Sequence, residues 1–193
     1  MDTERLFLAI ALPGSARNCM AERVRLVAKH ADRVRWVPIE NVHITLKFFG
    51  ETPAAQRSTI EATMERVVAS VPPLELAITG VKVVRRGRRP QMVWATVADT
   101  DGRLQRLHDR TERLLESEGF AREVRSFSPH STLARVRDGV AQWEQESLEN
   151  WAATQREMPP IPFQVAEVLL MKSELKPQGA EYTVCRRFGL RGT

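Results

Sequence analysis

The runs Leu74 to Arg86 and Gln91 to Ala98 follow one another with nothing between them but a basic turn around Gly87. Two strand-like segments this close pair antiparallel, because a parallel partner needs a crossover of a dozen or more residues. A second adjacent pair, Phe163 to Met171 and Glu181 to Leu190, comes at the end of the sequence. Helical patterns lie between and before these pairs. The order predicts an α+β fold with antiparallel sheets and argues against a doubly wound parallel sheet.

The remaining segments fill in that frame. Arg5 to Leu12 is an apolar strand run closed by Pro13-Gly14, and Ala16, Met20, Val24, Val27 and Ala31 then follow a helical period. Val34 to Val37 is short and extended, and Val42 to Phe49 is a clear strand for which Gly50 is the expected end. Thr52-Pro53 has the form of a helix start, with Thr as cap and Pro in the first helical position, ahead of the stripe Ile60, Met64, Val67, Val68 and Val71. Pro72-Pro73 stops it. Leu104, Leu107, Thr111, Leu114 and Leu115 mark a helix ending at Gly119, His130 to Arg137 is extended, and Val140, Trp143, Leu148, Trp151 and Ala152 give a last helix before Pro159-Pro160.

At 193 residues the chain has room for one integrated unit and not for two ordinary independent domains, so a single domain over 1–193 is expected. The apolar fraction of 42% and charged fraction of 27% belong to a soluble globular protein. The run Leu6 to Leu12 is too short for a membrane span and follows Asp2 and Glu4, the wrong flank for an export signal. A cytoplasmic protein is expected, with Cys19 and Cys185 as reduced thiols. A net charge of +5 favours polyanionic partners. Lys82, Arg85, Arg86, Arg88 and Arg89 concentrate that charge at the hairpin turn. The cluster reads either as a solvated turn or as a ridge that tracks RNA phosphates.

The chemistry resides in a short repeated pattern. His43-Ile44-Thr45-Leu46 lies in one strand, and His130-Ser131-Thr132-Leu133, starting 87 positions later, lies in another. Strand alternation puts His43 and Thr45 on one face, with Ile44, Leu46 and Phe48 on the other, and treats His130 and Thr132 alike. Two such strands side by side would surround one small anion. One imidazole then takes a proton from an attacking water while the other gives one to the leaving oxygen, which is phosphoryl transfer without a metal. The hydroxyls would donate to the non-bridging oxygens. A lone His-x-Thr in a strand carries no such meaning, and His30 and His108, on helical segments, have ordinary explanations. By period two Lys47 shares the His43 face, where it would either add positive charge near the site or only cap the strand end.

The sequence resembles the bacterial and archaeal RNA 2',3'-cyclic phosphodiesterases, long labelled 2'-5' RNA ligases, of the two-histidine phosphoesterase superfamily. The resemblance rests on Arg5-Leu6-Phe7-Leu8-Ala9-Ile10, on Trp36-Val37 through Asn41 to Gly50, on Phe127 to Arg135, and on Leu170 to Leu175 through Gly179 to Tyr182. It implies a bilobed α+β fold, two antiparallel sheets facing a central cleft with helices outside, and one histidine motif from each lobe. It also implies His43 as proton donor, His130 as proton acceptor, and Thr45, Thr132 and Arg135 on the phosphate. Strict alternation would turn Arg135 away from His130 unless a bulge or the reach of its long side chain brings it back. Phe7 and Trp36 are candidates for holding the nucleoside by stacking, against the alternative that both are core residues. The expected substrates are RNA ends or nucleotides carrying a 2',3'-cyclic phosphate, opened to the 2'-phosphate by a monomer that needs no cofactor or metal and no membrane. Two alternatives stay open: the reverse reaction as a 2'-5' RNA ligase, and a nucleotide- or RNA-binding module without catalysis.

Overall fold

A computed structural model describes residues 2–28, 33–177 and 179–192. His30 and Ala31 lie outside these. Among the described residues the elements are β1 (Thr3–Ala11), α1 (Gly14–Ala28), β2 (Val34–Trp36), β3 (His43–Pro53), α2 (Arg57–Val68), β4 (Leu74–Arg86), β5 (Arg89–Ala98), α3 (Arg103–Ser117), β6 (His130–Val136), α4 (Gln142–Glu157), β7 (Ile161–Val165), β8 (Glu167–Lys176) and β9 (Gly179–Gly189). The α+β reading holds, and every strand pairing is antiparallel.

The strands run in the order β7-β4-β5-β6-β3-β1-β8-β9, with β2 against β6. This is two half-sheets, β7-β4-β5-β6 and β3-β1-β8-β9, joined at one place. Ile44 and Ser131 are the single pair recorded between β3 and β6. The rest of that edge of β6 is taken by β2, where Val34, Arg35 and Trp36 face Val136, Arg135 and Ala134. Helix α4 lies on β4 and α1 on β7, whereas α2 packs on α3 and β9, and α3 on β3. The buried residues of both halves form one hydrophobic cluster, from Leu6, Leu8 and Ile10 in β1 to Leu74, Ile78 and Phe163 in β4 and β7.

Helix α3 shows how local sequence sets an element. Leu104, Leu107, Thr111 and Leu115 are its buried stripe, and the Asp99 carboxylate accepts from the Leu104 and Gln105 amides at 3.1 and 2.8 Å, satisfying donors that a first turn leaves free. At the other end Gly119 has φ of 89°, and the Phe120 and Gly119 amides donate back to the Leu115 and Glu116 carbonyls at 3.0 Å. That left-handed closure is open to Gly at no steric cost.

Three expectations about element limits are corrected. Gly50 does not end its strand: with φ of 74° it accommodates a register shift, and β3 runs on to Pro53. Thr52 is consequently a strand residue opposite Glu4, its hydroxyl donating to the Gly50 carbonyl at 3.1 Å, and the helix starts at Arg57 after one 3-10 turn. The run Phe163 to Met171 is two strands split at Ala166, and they serve different half-sheets, β7 on β4 and β8 on β1 and β9. Trp143 is 59% exposed, because the buried face of α4 follows Glu144, Leu148, Trp151, Ala152 and Gln155.

Candidate active site

Each histidine is fixed by its own strand entry in the same way. The Nδ1–H of His43 donates to the Asn41 carbonyl at 2.7 Å, and the Nδ1–H of His130 donates to the Ser128 carbonyl at 2.7 Å. A carbonyl only accepts, so Nδ1 must carry a proton in both rings. Each Nε2 is then the ring nitrogen not engaged by that carbonyl.

The Ile44–Ser131 pair brings the two motifs together at their middle residues. Antiparallel continuation of that register sets His43 beside Thr132 and Thr45 beside His130. All four line one cavity of about 860 Å³ that draws on both half-sheets. Arg5, Arg35, Arg135 and Lys176 also line it, against one carboxylate, Glu181, which is ion-paired with Lys176. The cavity is therefore electropositive before either imidazole is protonated.

Two bulges decide what else faces it. In the β1–β3 ladder Leu8 opposes Lys47 and Ala9 opposes Thr45, which skips Leu46. In the β5–β6 ladder Val93 opposes Ala134 and Trp94 opposes Thr132, which skips Leu133. An extra residue reverses the side-chain alternation beyond it. Arg135 is thereby turned onto the face of His130 and Thr132 and lines the cavity, as a bulge was needed to allow. By the same device Phe48 leaves the side of Ile44, is 51% exposed and lines the cavity, with the Arg5 guanidinium 4.7 Å from its ring centroid. Phe48 and Arg135 occupy matching places in the two motifs.

Lys47 goes the other way. It is 5% exposed, donates to both Glu112 carboxylate oxygens at 2.9 Å and to the Ala121 carbonyl at 2.8 Å. It neither lies in the cavity nor caps a strand end. Glu112 also accepts from the Glu123 amide at 3.0 Å. His108, on the same face of α3, stacks on Phe127 with ring centroids 4.1 Å apart. These contacts hold the segment that leads into the second motif against α3 and β3.

Of the aromatic candidates, Phe7 is 3% exposed and forms a cavity wall, its ring 5.0 Å from that of His43 and 5.1 Å from that of Tyr182. Trp36 lines the cavity and meets Trp151 edge-on at 5.8 Å. Sequence reading missed Trp94, Tyr182 and Phe48. Trp94 stacks on His130 at 3.7 Å, and Tyr182 stands edge-on to His43 at 5.4 Å. Burial pushes the His43 imidazole below its ordinary range, the Asn41 carbonyl pulls it partly back, and the charge of His130 depresses it further.

A curled antiparallel sheet with two His-x-Thr strands meeting over one electropositive cavity defines the class of two-histidine phosphoesterases. The chain belongs to the 2'-5' RNA ligase superfamily, whose family model matches residues 13–177. It is 30% identical to an RNA 2',3'-cyclic phosphodiesterase of Thermotoga maritima, over 93% of this chain and 92% of that one. It is 32% identical to one of Methanothermobacter thermautotrophicus, over 96% and 98%. Among solved structures, a Thermus thermophilus protein superposes with a TM-score of 0.79 at 26% identity, covering 97% of this chain and 98% of that one. E. coli LigT in complex with 3'-AMP gives 0.72 at 25% identity, covering 98% and 99%.

Proposed function

We propose that this protein is an RNA 2',3'-cyclic phosphodiesterase that opens the cyclic phosphate to a 2'-phosphate between His43 and His130. The observation that supports the mechanism is the pairing of Ile44 with Ser131, which joins the two motifs at the cavity that both imidazoles and both hydroxyls line. Water attacks phosphorus in line, and His130 Nε2 takes its proton. The P–O3' bond breaks as His43 Nε2 gives its proton to the departing 3'-oxygen. Thr45 and Thr132 donate to the non-bridging oxygens, and Arg135 adds charge where it accumulates in the transition state. A bound phosphate anion favours the charged form of His43, acting against its burial in the direction that the donor role requires. Of the aromatics, Phe48 presents the most open ring for the base, beside the wall formed by Phe7 and Trp36.

The name of the family model also favours the reverse reaction. A 5'-hydroxyl in place of water would attack the cyclic phosphate, the P–O5' bond forming as the P–O3' bond breaks, and the same two proton transfers would leave a 2'-5' phosphodiester. The test is to incubate the purified protein with a nucleoside 2',3'-cyclic phosphate, with and without chelator, and to identify the product isomer. A 2'-phosphate formed equally in both arms is expected. A 3'-phosphate, or activity that needs one divalent ion, contradicts the scheme.

A further inference from the structure

Beyond the cavity, a second depression runs from the end of β6 to the tip of the β4–β5 hairpin, lined by Arg86, Arg89, Arg135 and Arg137 with one acid, Asp138, among the described residues. Arg135 lines this groove and the cavity alike, so the two adjoin at the residue assigned above to the phosphate. Among the described residues these four arginines form no ion pair, whereas Arg85, one residue before the tip, is paired with Glu149 of α4. Arg86 and Arg89 thus present unpaired charge to the groove, while Arg85 ties the hairpin to α4. The tip itself is tight: Arg86 pairs with Arg89 across a turn whose Gly87 has φ of 60°. Arg137 is set by its amide, which donates to the Arg33 carbonyl at 2.8 Å. From Trp94, which stacks on His130, to Arg89 the strand covers roughly 17 Å, room for more than one phosphodiester.

We infer that this groove is the track for the backbone of a single-stranded RNA whose cyclic-phosphate end lies in the cavity. The inference rests on the phosphodiesterase reading above and narrows its substrate class to RNA 3' ends over mononucleotides. A mononucleotide has no phosphate to place against Arg86, Arg89 or Arg137, so these residues act on the polymer alone. Their contribution is electrostatic and falls with salt, because each phosphate neutralised releases counterions.

The test compares the wild type with the triple variant Arg86→Ser, Arg89→Ser, Arg137→Ser, measuring kcat/KM against salt. One substrate is a nucleoside 2',3'-cyclic phosphate, and the other is a short unstructured RNA ending in a 2',3'-cyclic phosphate. With RNA, the log–log salt slope of the variant should be shallower by roughly 0.7 per lost phosphate contact, and its rate at low salt at least ~10-fold lower. With the mononucleotide both proteins should perform alike, which also shows the variant folded. If the variant keeps the wild-type slope with RNA while both proteins turn over the mononucleotide, the groove is not an RNA track. If the wild type fails on both substrates, the reading of the cavity falls and the groove proposal falls with it.

Discussion

Ile44 and Ser131, the middle residues of the two His-x-Thr motifs, are backbone partners across β3 and β6, and this pair is the hinge on which the proposed site turns. Ser131 is fully buried, and its hydroxyl has no hydrogen-bond partner among the described residues. Removing an unsatisfied buried hydroxyl relieves a desolvation cost, so Ser131→Ala should be neutral or up to ~1 kcal/mol more stable, with turnover retained. Ser131→Leu should overpack the junction, cost about 1–3 kcal/mol and lower kcat by spreading the motifs. Denaturant midpoints read beside turnover check both. Full activity in Ser131→Leu would show that the spacing of the strands at this pair does not matter.

The buried Lys47–Glu112 pair gives a second expectation. Lys47→Met leaves Glu112 in the interior without its partner and should destabilise the fold by about 3–5 kcal/mol, the usual cost of breaking such a pair. Adding Glu112→Leu should recover most of that loss. The double variant should nonetheless keep a reduced kcat, since Glu112 also anchors the segment before His130 through the Glu123 amide. Equal stability of Lys47→Met and wild type in denaturant would contradict the burial argument.

Much of this was legible in the sequence. The strand and helix patterns gave the α+β class and the hairpins, and the repeated His-x-Thr drew attention to the four residues that the fold brings to one cavity. What was not legible depends on partners far away in the chain. Lys47 and Phe48 were assigned to the wrong faces because alternation assumes an unbroken ladder, and nothing local marks Leu46 as the extra residue that β1 leaves unpaired. Arg135 needed the matching bulge at Leu133. Trp94 and Tyr182 carry no motif and come beside the histidines only through the packing of β5 and β9. The split at Ala166 has no Gly or Pro to announce it.

Titration of His43 carries its own test. Its folded pKa lies below the unfolded value near 6.5, so the unfolded chain binds this proton more readily. The contribution of neutral His43 to stability is fully present above 6.5 and is lost as pH falls through 6.5 towards the lowered value. The wild type should therefore lose stability relative to His43→Gln in that acid window and nowhere above it. In activity, kcat/KM should rise and fall with pH, each limb belonging to the pair of imidazoles and not to one of them. Because bound phosphate favours the charged rings, both limbs of the kcat profile should lie at higher pH. A profile that rises to a plateau with no descending limb would remove the general acid.

The hydroxyls rank below the imidazoles. Thr45→Val and Thr132→Val should each lower kcat about 10- to 100-fold, as for the loss of one donor to developing charge. Unchanged kcat in both would mean that neither hydroxyl reaches the phosphate.

The most direct measurement is single-turnover hydrolysis of a nucleoside 2',3'-cyclic phosphate by the wild type, His43→Ala and His130→Ala, with folding of each verified by its thermal transition. Each substitution should lower the rate at least ~100-fold while the protein stays folded, with 2'-phosphate the product wherever turnover is seen. Near wild-type rates in either folded variant would contradict the paired-histidine mechanism.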